Sequence, residues 1–553
     1  MLTKLLDHLK YSLGTKAATV FVLIISLFSR IIHVTFFYNI VVDAAYQVIG
    51  AQSLLNGFGV SLPNVLPTNL SETIYTPLIN WPPTYSFIFA PFYYLFNYNY
   101  LAAGITLDII GSIAFIFACR SILKLLTIPL YLRNVFTLLT SFFIYHFYFN
   151  ACSDAIAITF FLWALYFILK IIKTDSSIKK NYAAATIFLF LCGSMKYLFF
   201  PIVFVLPALL FLYGVQIKKR IVIYGAIISL SILIISLGGI LIYQKSISGS
   251  AAYISAPGRG FYPENLKKVY PLIPAGFIKP ETIAITLGNL TTIDSIYYYY
   301  RIIYCVSIIC LIILFIRDFK KKKFKDIEVW RFFLYAAFFT SLAIIILLST
   351  LSIFVEKEQI FSWLQWTYIE EARYHGLPHI LLHLSVFIFY LFYQKDRKNF
   401  YKKYMFCILL ILMVPEMLRG IYFTSMRVVN LQKEQYSWQI EKRFQDYSDS
   451  LISIEKNNFH HENKVVVAST SYNWLNRVVI NSRLSPLTDP SSINNISTLR
   501  TQKPLVLLVM MDNDSIANYQ GFLNHSQVVL KGELLNFKFY TTIIEANKNE
   551  QLK

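Results

Sequence analysis

The chain has 553 residues, 56% of them hydrophobic and only 14% charged, with a positive mean hydropathy. A soluble protein of this length would aggregate with so much apolar side chain, so the bilayer must be its solvent. The net charge of +20 does not point to nucleic acid, because Lys and Arg stand mainly in short clusters between apolar runs, which is a membrane-topology pattern.

With about 20 apolar residues per crossing, the sequence predicts spans at 17–38, 100–119, 134–149, 155–173, 182–195, 198–216, 221–243, 298–316, 330–355, 376–394 and 404–424. An N-terminus in the cytoplasm places the basic clusters at 120–133, 170–180, 218–220, 317–325 and 395–403 in inner loops. The first outer loop, 39–99, contains no Lys or Arg, as the positive-inside rule requires of a translocated segment. This topology needs the apolar, aromatic stretch 84–97 to lie along the outer surface as a juxtamembrane helix rather than cross. Two further outer loops are expected at 244–297 and 356–375. The six cysteines, Cys119, Cys152, Cys192, Cys305, Cys310 and Cys407, show no metal-type spacing and read as small apolar residues.

After residue 424 the composition changes. A charged, helix-patterned stretch over 431–457 leads to short apolar runs at 464–468, 504–511 and 527–544, which read as strands, the last as a hairpin about Gly532 and Glu533. The predicted architecture is an α-helical polytopic membrane domain over 1–424, with about eleven transmembrane helices, and a soluble extracytoplasmic α/β domain over 425–553. The expected location is the plasma (inner) membrane.

Ionisable residues beside hydrocarbon need a reason to be there, since charge at mid-membrane costs about 2.5–3.5 kcal/mol on insertion scales. Asp43 opens the first outer loop, followed by Tyr46 and a short small-residue helix ending at Gly57. The loop continues to Trp81-Pro82-Pro83-Thr84-Tyr85-Ser86. Ser153-Asp154 begins the fourth span, Gly193-Ser194-Met195-Lys196 closes the fifth, and Arg373-Tyr374 precedes a late one, while Arg30 lies in the first. In order and spacing these motifs resemble the GT-C-fold glycosyltransferases that use polyprenyl-phosphate sugars, such as protein O-mannosyltransferases and the lipid A aminoarabinose transferase. The resemblance covers most of residues 17–400.

The resemblance implies an inverting transfer of sugar from a polyprenyl-phosphate donor to a hydroxyl of a glycan, lipid or protein acceptor outside the membrane. Asp43 would be the general base, and Asp154, Lys196, Arg373, Tyr374, Tyr46 and Trp81 would bind substrate. Lys196 and Arg373 would face the leaving phosphate. In that family two adjacent acids frequently open the first outer loop. Here Ala44 follows Asp43, a departure that leaves a divalent metal unassigned, with Glu72 or Asp154 as a possible second carboxylate.

Plainer readings stand beside these. Asp43 and Asp154 each fit a helix N-cap, Lys196 a snorkelling helix end, Arg373 a surface pair with Glu370 or Glu371, and His375 and His379 structural positions. Arg30 and His33 are expected to pair with acids of the bundle such as Asp43 or Asp154. Rival functions are a transporter or flippase of lipid-linked sugars, which would favour repeated halves and broken midplane helices, and an O-antigen ligase or polymerase.

Overall fold

The computed structural model describes residues 2–37, 42–142, 153–174, 177–249, 261, 329–353, 376–395, 400–429, 464–470, 485–534 and 537–546, with scattered positions between 443 and 453. Six of the described helices are long and apolar enough to cross a membrane, by length and composition, which makes the chain a multi-pass membrane protein. About eleven were expected. The expected span at 298–316 lies outside the described residues.

Two helices precede the first outer loop. α1 (Leu2–Leu13) is an additional amphipathic helix that hydropathy alone did not suggest. It ends before Thr15, whose hydroxyl accepts from the Ala18 amide at 3.0 Å and so caps α2 (Lys16–Phe37). α3 (Val42–Leu55) follows, and Gly57 and Gly59, both at positive φ, turn the chain out of it. Close packing here depends on Gly50, where a Cβ would meet Val60 Cγ1 at 2.9 Å and Ser86 Oγ at 3.1 Å.

α4 (Thr84–Leu95) has 12 residues, a length of about 18 Å, too short for a hydrocarbon core of about 30 Å. Tyr85, Phe89 and Tyr93 recur at i+4 and are fully buried, while Phe87, Tyr94 and Leu95 are exposed. Both faces are therefore apolar, which suits the membrane interface.

The bundle continues with α5 (Tyr100–Leu125), capped by Asn99, then α6 (Leu130–Thr140), α7 (Ser153–Lys173) and α8 (Ile178–Met195). α6 starts four residues before the expected span at 134–149 and has only 11 described residues. Between α8 and α9 (Val205–Ile217) the chain makes two 3-10 turns, Tyr197–Phe199 and Ile202–Phe204, around Pro201, which has no amide proton to continue a helix. α10 (Arg220–Ser248), α11 (Val329–Ile353), α12 (Gly376–Lys395) and α13 (Phe400–Val429) are the remaining described helices of the bundle, the last running beyond residue 424.

The segment between α3 and α4 holds a hairpin that the sequence did not suggest, β1 (Ser61–Leu66) antiparallel to β2 (Asn69–Pro77). Near the C-terminus β3 (Val465–Ser469), β4 (Leu505–Asp512), β5 (Val529–Leu534) and β6 (Phe537–Ile544) form a sheet of order β3-β4-β6-β5. β3 runs parallel to β4, and the other pairs are antiparallel. Side chains alternate across β4. Val506, Leu508 and Met510 join a core continuous with the helix bundle, and Leu505, Leu507, Val509 and Met511 join a second core.

That second core also contains Val65 and Leu70 of the hairpin. Backbone bonds stitch the two regions together: Val65 N–H to Leu487 O at 2.8 Å, Leu487 N–H to Pro63 O at 2.9 Å, Leu70 N–H to Arg500 O at 2.8 Å and Arg500 N–H to Pro67 O at 2.9 Å. The Ser71 hydroxyl accepts from the Gln502 amide at 2.7 Å, and its carbonyl accepts from Lys464 Nζ at 3.2 Å.

Two outcomes follow from this junction. Leu70→Ala removes a fully buried side chain and is expected to lower stability by about 2–5 kcal/mol, read as faster proteolysis of the C-terminal region together with a lower melting temperature. Burial pushes the Lys464 ammonium down to about 8 from 10.5, against the opposing pull of Glu72. The folded state then binds fewer protons than the unfolded state between those values, so stability rises as pH rises from about 8 toward 10.5. Lys464→Met is expected to flatten that rise in melting experiments across the range.

Candidate functional site

α7 and α8 are consecutive antiparallel helices joined by the short segment 174–177, so the first turn of one lies beside the last turn of the other. This brings Asp154, in the first turn of α7, to Lys196, the extended residue that ends α8 at φ −157° and ψ 139°. The ammonium donates to both carboxylate oxygens, at 2.8 and 2.7 Å. Asp43, in the first turn of α3, reaches the same ammonium at 3.8 Å. Each carboxylate sits at a helix N-terminus, where the helix dipole favours negative charge.

Exposure separates the two acids. The Asp154 side chain is 4% exposed and Lys196 10%, whereas Asp43 is 22% exposed. Asp154 and Lys196 form a buried, bidentate pair; Asp43 sits at its open edge. Lys196 is therefore a buried bridge between two acids rather than a snorkelling helix end. The Asp154 carboxylate is spent on that ammonium and not only on its own helix terminus.

An aromatic pair adjoins the cluster. Tyr46 lies on α3 one turn beyond Asp43 and stacks on Trp81, with ring centroids 5.4 Å apart and planes at 23°. The segment leading to Trp81 is held by two residues that sequence reasoning missed. The Tyr197 hydroxyl lies 2.8 Å from the Ile79 carbonyl and 2.7 Å from Gln244 Oε1, its single proton serving one acceptor at a time. Gln244 Nε2 donates to the Trp81 carbonyl at 3.4 Å. The available signals were the position of Tyr197 directly after Lys196 and the lone amide of Gln244 closing an apolar run.

Gln47, one helical turn from Asp43, donates from Nε2 to the Asp43 carbonyl at 3.0 Å. Its buried Oε1 has no hydrogen-bond partner among the described residues. An acceptor oxygen on the residue one turn beyond Asp43 is thus left without a partner among the described residues.

Other expectations are corrected or fall elsewhere. Glu72 is an exposed residue of β2, bonded to Asn69 Nδ2 at 3.2 Å and drawn electrostatically to Lys464, so it supplies no second carboxylate beside Asp43. Arg30 is buried in α2 and donates to the Thr140 carbonyl, while His33 and His379 are buried in α2 and α12. Arg373, Tyr374, Glu370, Glu371 and His375 lie outside the described residues. Among the described residues the donor set does not fit a divalent ion. The Lys196 ammonium already occupies the place between the two carboxylates, and among the described residues no three His, Cys, Asp or Glu side chains are grouped to hold a metal.

No family model matches this chain, and no curated protein matches it. Among solved structures it is similar to the Archaeoglobus fulgidus oligosaccharyltransferase tethered with an acceptor peptide containing the NVT sequon. That match has a TM-score of 0.49 and 10% identity, covering 92% of this chain and 71% of the other. It is also similar to ArnT from Cupriavidus metallidurans, in the apo state (TM-score 0.44, 10% identity, 95% and 98% covered) and bound to undecaprenyl phosphate (0.43, 9%, 95% and 97%).

Buried pairs are costly to break and cheap to replace whole. Asp154→Leu alone and Lys196→Met alone are each expected to cost about 3–5 kcal/mol. The double replacement should cost less than either, as read by thermal denaturation in detergent. Additive penalties would show that the two side chains are not coupled.

Proposed function

We propose that this protein is a membrane glycosyltransferase that takes a sugar from a polyprenyl-phosphate carrier and passes it to an acceptor hydroxyl on the extracytoplasmic side. The observation that carries the reading is the asymmetry of the acidic cluster: Asp43 is the more exposed carboxylate, held at 3.8 Å, while Asp154 is locked to Lys196 at 2.7 Å. A general base must reach the proton it removes. Asp43 meets that condition, and Asp154 does not.

In this mechanism the acceptor O–H gives its proton to the Asp43 carboxylate as the oxygen attacks the anomeric carbon. The bond from that carbon to the phosphate oxygen breaks on the opposite face, so the product is inverted and the carrier leaves as polyprenyl phosphate. Asp154 and Lys196 hold Asp43 at the mouth of the cluster, and Lys196 offsets part of its charge. Arg373 and Tyr374 are assigned to the phosphate on the sequence pattern. Trp81, partly buried against Tyr46, offers a ring face to the apolar side of a sugar. Gln47 Oε1 offers an acceptor to a substrate hydroxyl.

The reading places the membrane domain over 1–424 and the extracytoplasmic domain over 425–553, with the C-terminal sheet beside the acceptor. Glycan, lipid and protein acceptors all present the hydroxyl that this chemistry needs.

The test is a membrane assay with labelled polyprenyl-phosphate sugar. Asp43→Asn, which keeps shape but cannot take a proton, is expected to lower product formation by about 10²–10⁴-fold in protein that still folds and reaches the membrane. Undiminished turnover would remove Asp43 as the base, and carrier movement with no new glycosidic bond would favour a flippase.

A further inference from the structure

The opposite end of the bundle holds two arginines that this chemistry does not use. Arg120, in α5, is 9% exposed and donates to three neutral oxygens: the Arg133 carbonyl at 3.4 Å, Thr137 Oγ1 at 2.7 Å and Asn134 Oδ1 at 3.0 Å. Asn134 in turn donates to the Leu13 carbonyl and to Thr19 Oγ1, both at 2.9 Å. These contacts fix the group beside the start of α2, whereas Asp43 follows the far end of that helix, about 33 Å away along the axis.

Arg133 is a like charge within electrostatic reach of Arg120. Its Nε is shut off from water and meets no acceptor among the described residues. The ion pairs seen among the described residues involve neither arginine. Arg133 also stands in the first turn of α6, whose N-cap, Pro129, provides no side-chain acceptor. Lys173 brings a third cation to the same connector by donating to the Leu125 carbonyl at 2.6 Å.

Neutral oxygens orient a guanidinium without neutralising it, and two guanidiniums repel each other. An acceptor with negative charge and paired oxygens resolves both problems, since Arg binds phosphate through parallel N–H bonds. The basic inner loops assign this end of the bundle to the cytoplasmic leaflet, where lipid phosphates lie at the depth of helix ends.

We propose that Arg120 and Arg133 bind the phosphate of an anionic phospholipid head group. The site is independent of the glycosyltransferase reading and stands or falls without it. The full-length protein is reconstituted in phosphatidylcholine nanodiscs with or without phosphatidylglycerol, and its melting temperature and lipid retained in native mass spectrometry are measured. Phosphatidylglycerol is expected to raise the melting temperature of the parent and to be retained. Arg133→Gln should lose both effects, and Lys179→Gln, an exposed cation of another inner loop, should lose neither.

In phosphatidylcholine alone Arg133→Gln should melt no lower than the parent, because the substitution relieves like-charge repulsion. A lower value would make Arg133 structural and overturn the proposal. An undiminished lipid response in Arg133→Gln would do the same, as would inorganic phosphate reproducing the whole shift in phosphatidylcholine.

Discussion

One ammonium group shared by two carboxylates sets the constraint on one end of the helix bundle. Lys196 is bound by Asp154 at 2.7 Å and reaches Asp43 at 3.8 Å, so three helix ends are held to one point. The low dielectric of a bundle interior strengthens each attraction and makes an unpaired member expensive. The unequal distances matter as much as the contact itself. Asp154 is consumed by the pair, while Asp43 keeps part of its surface in reach of solvent.

Lys196 and Tyr197 are adjacent where the chain breaks from helix to 3-10 turn. The first side chain organises the acids, and the second anchors the segment carrying Trp81. A single backbone break therefore fixes the charged cluster relative to the aromatic pair. The first outer loop is held at its other end too, because its hairpin shares a core and four backbone bonds with the C-terminal region. Only the residues from Asn56 to Val60 separate α3 from that hairpin, so the C-terminal sheet and the helix carrying Asp43 are joined by a short tether.

The two ends of the bundle are electrostatically opposite in design. At one end acids outnumber the cation that bridges them; at the other, the Arg120 guanidinium is arranged by neutral oxygens beside the like charge of Arg133. Both arrangements place charge at helix ends rather than mid-span, where burying it would be costliest.

The sequence by itself determined that the chain lives in a bilayer, where most of its helices run, and that Asp43, Asp154 and Lys196 stand at helix ends. These features follow from apolar run length and charge position, which are local properties of the chain. The C-terminal strands were legible for the same reason, as short apolar runs bounded by polar turns. Tertiary structure alone decided that Lys196 is spent on Asp154, that Glu72 faces Lys464, that Tyr197 and Gln244 brace Trp81, and that the loop hairpin joins the C-terminal core. Each of those contacts joins residues tens or hundreds of positions apart, and their partners are selected by packing, which hydropathy and spacing do not encode.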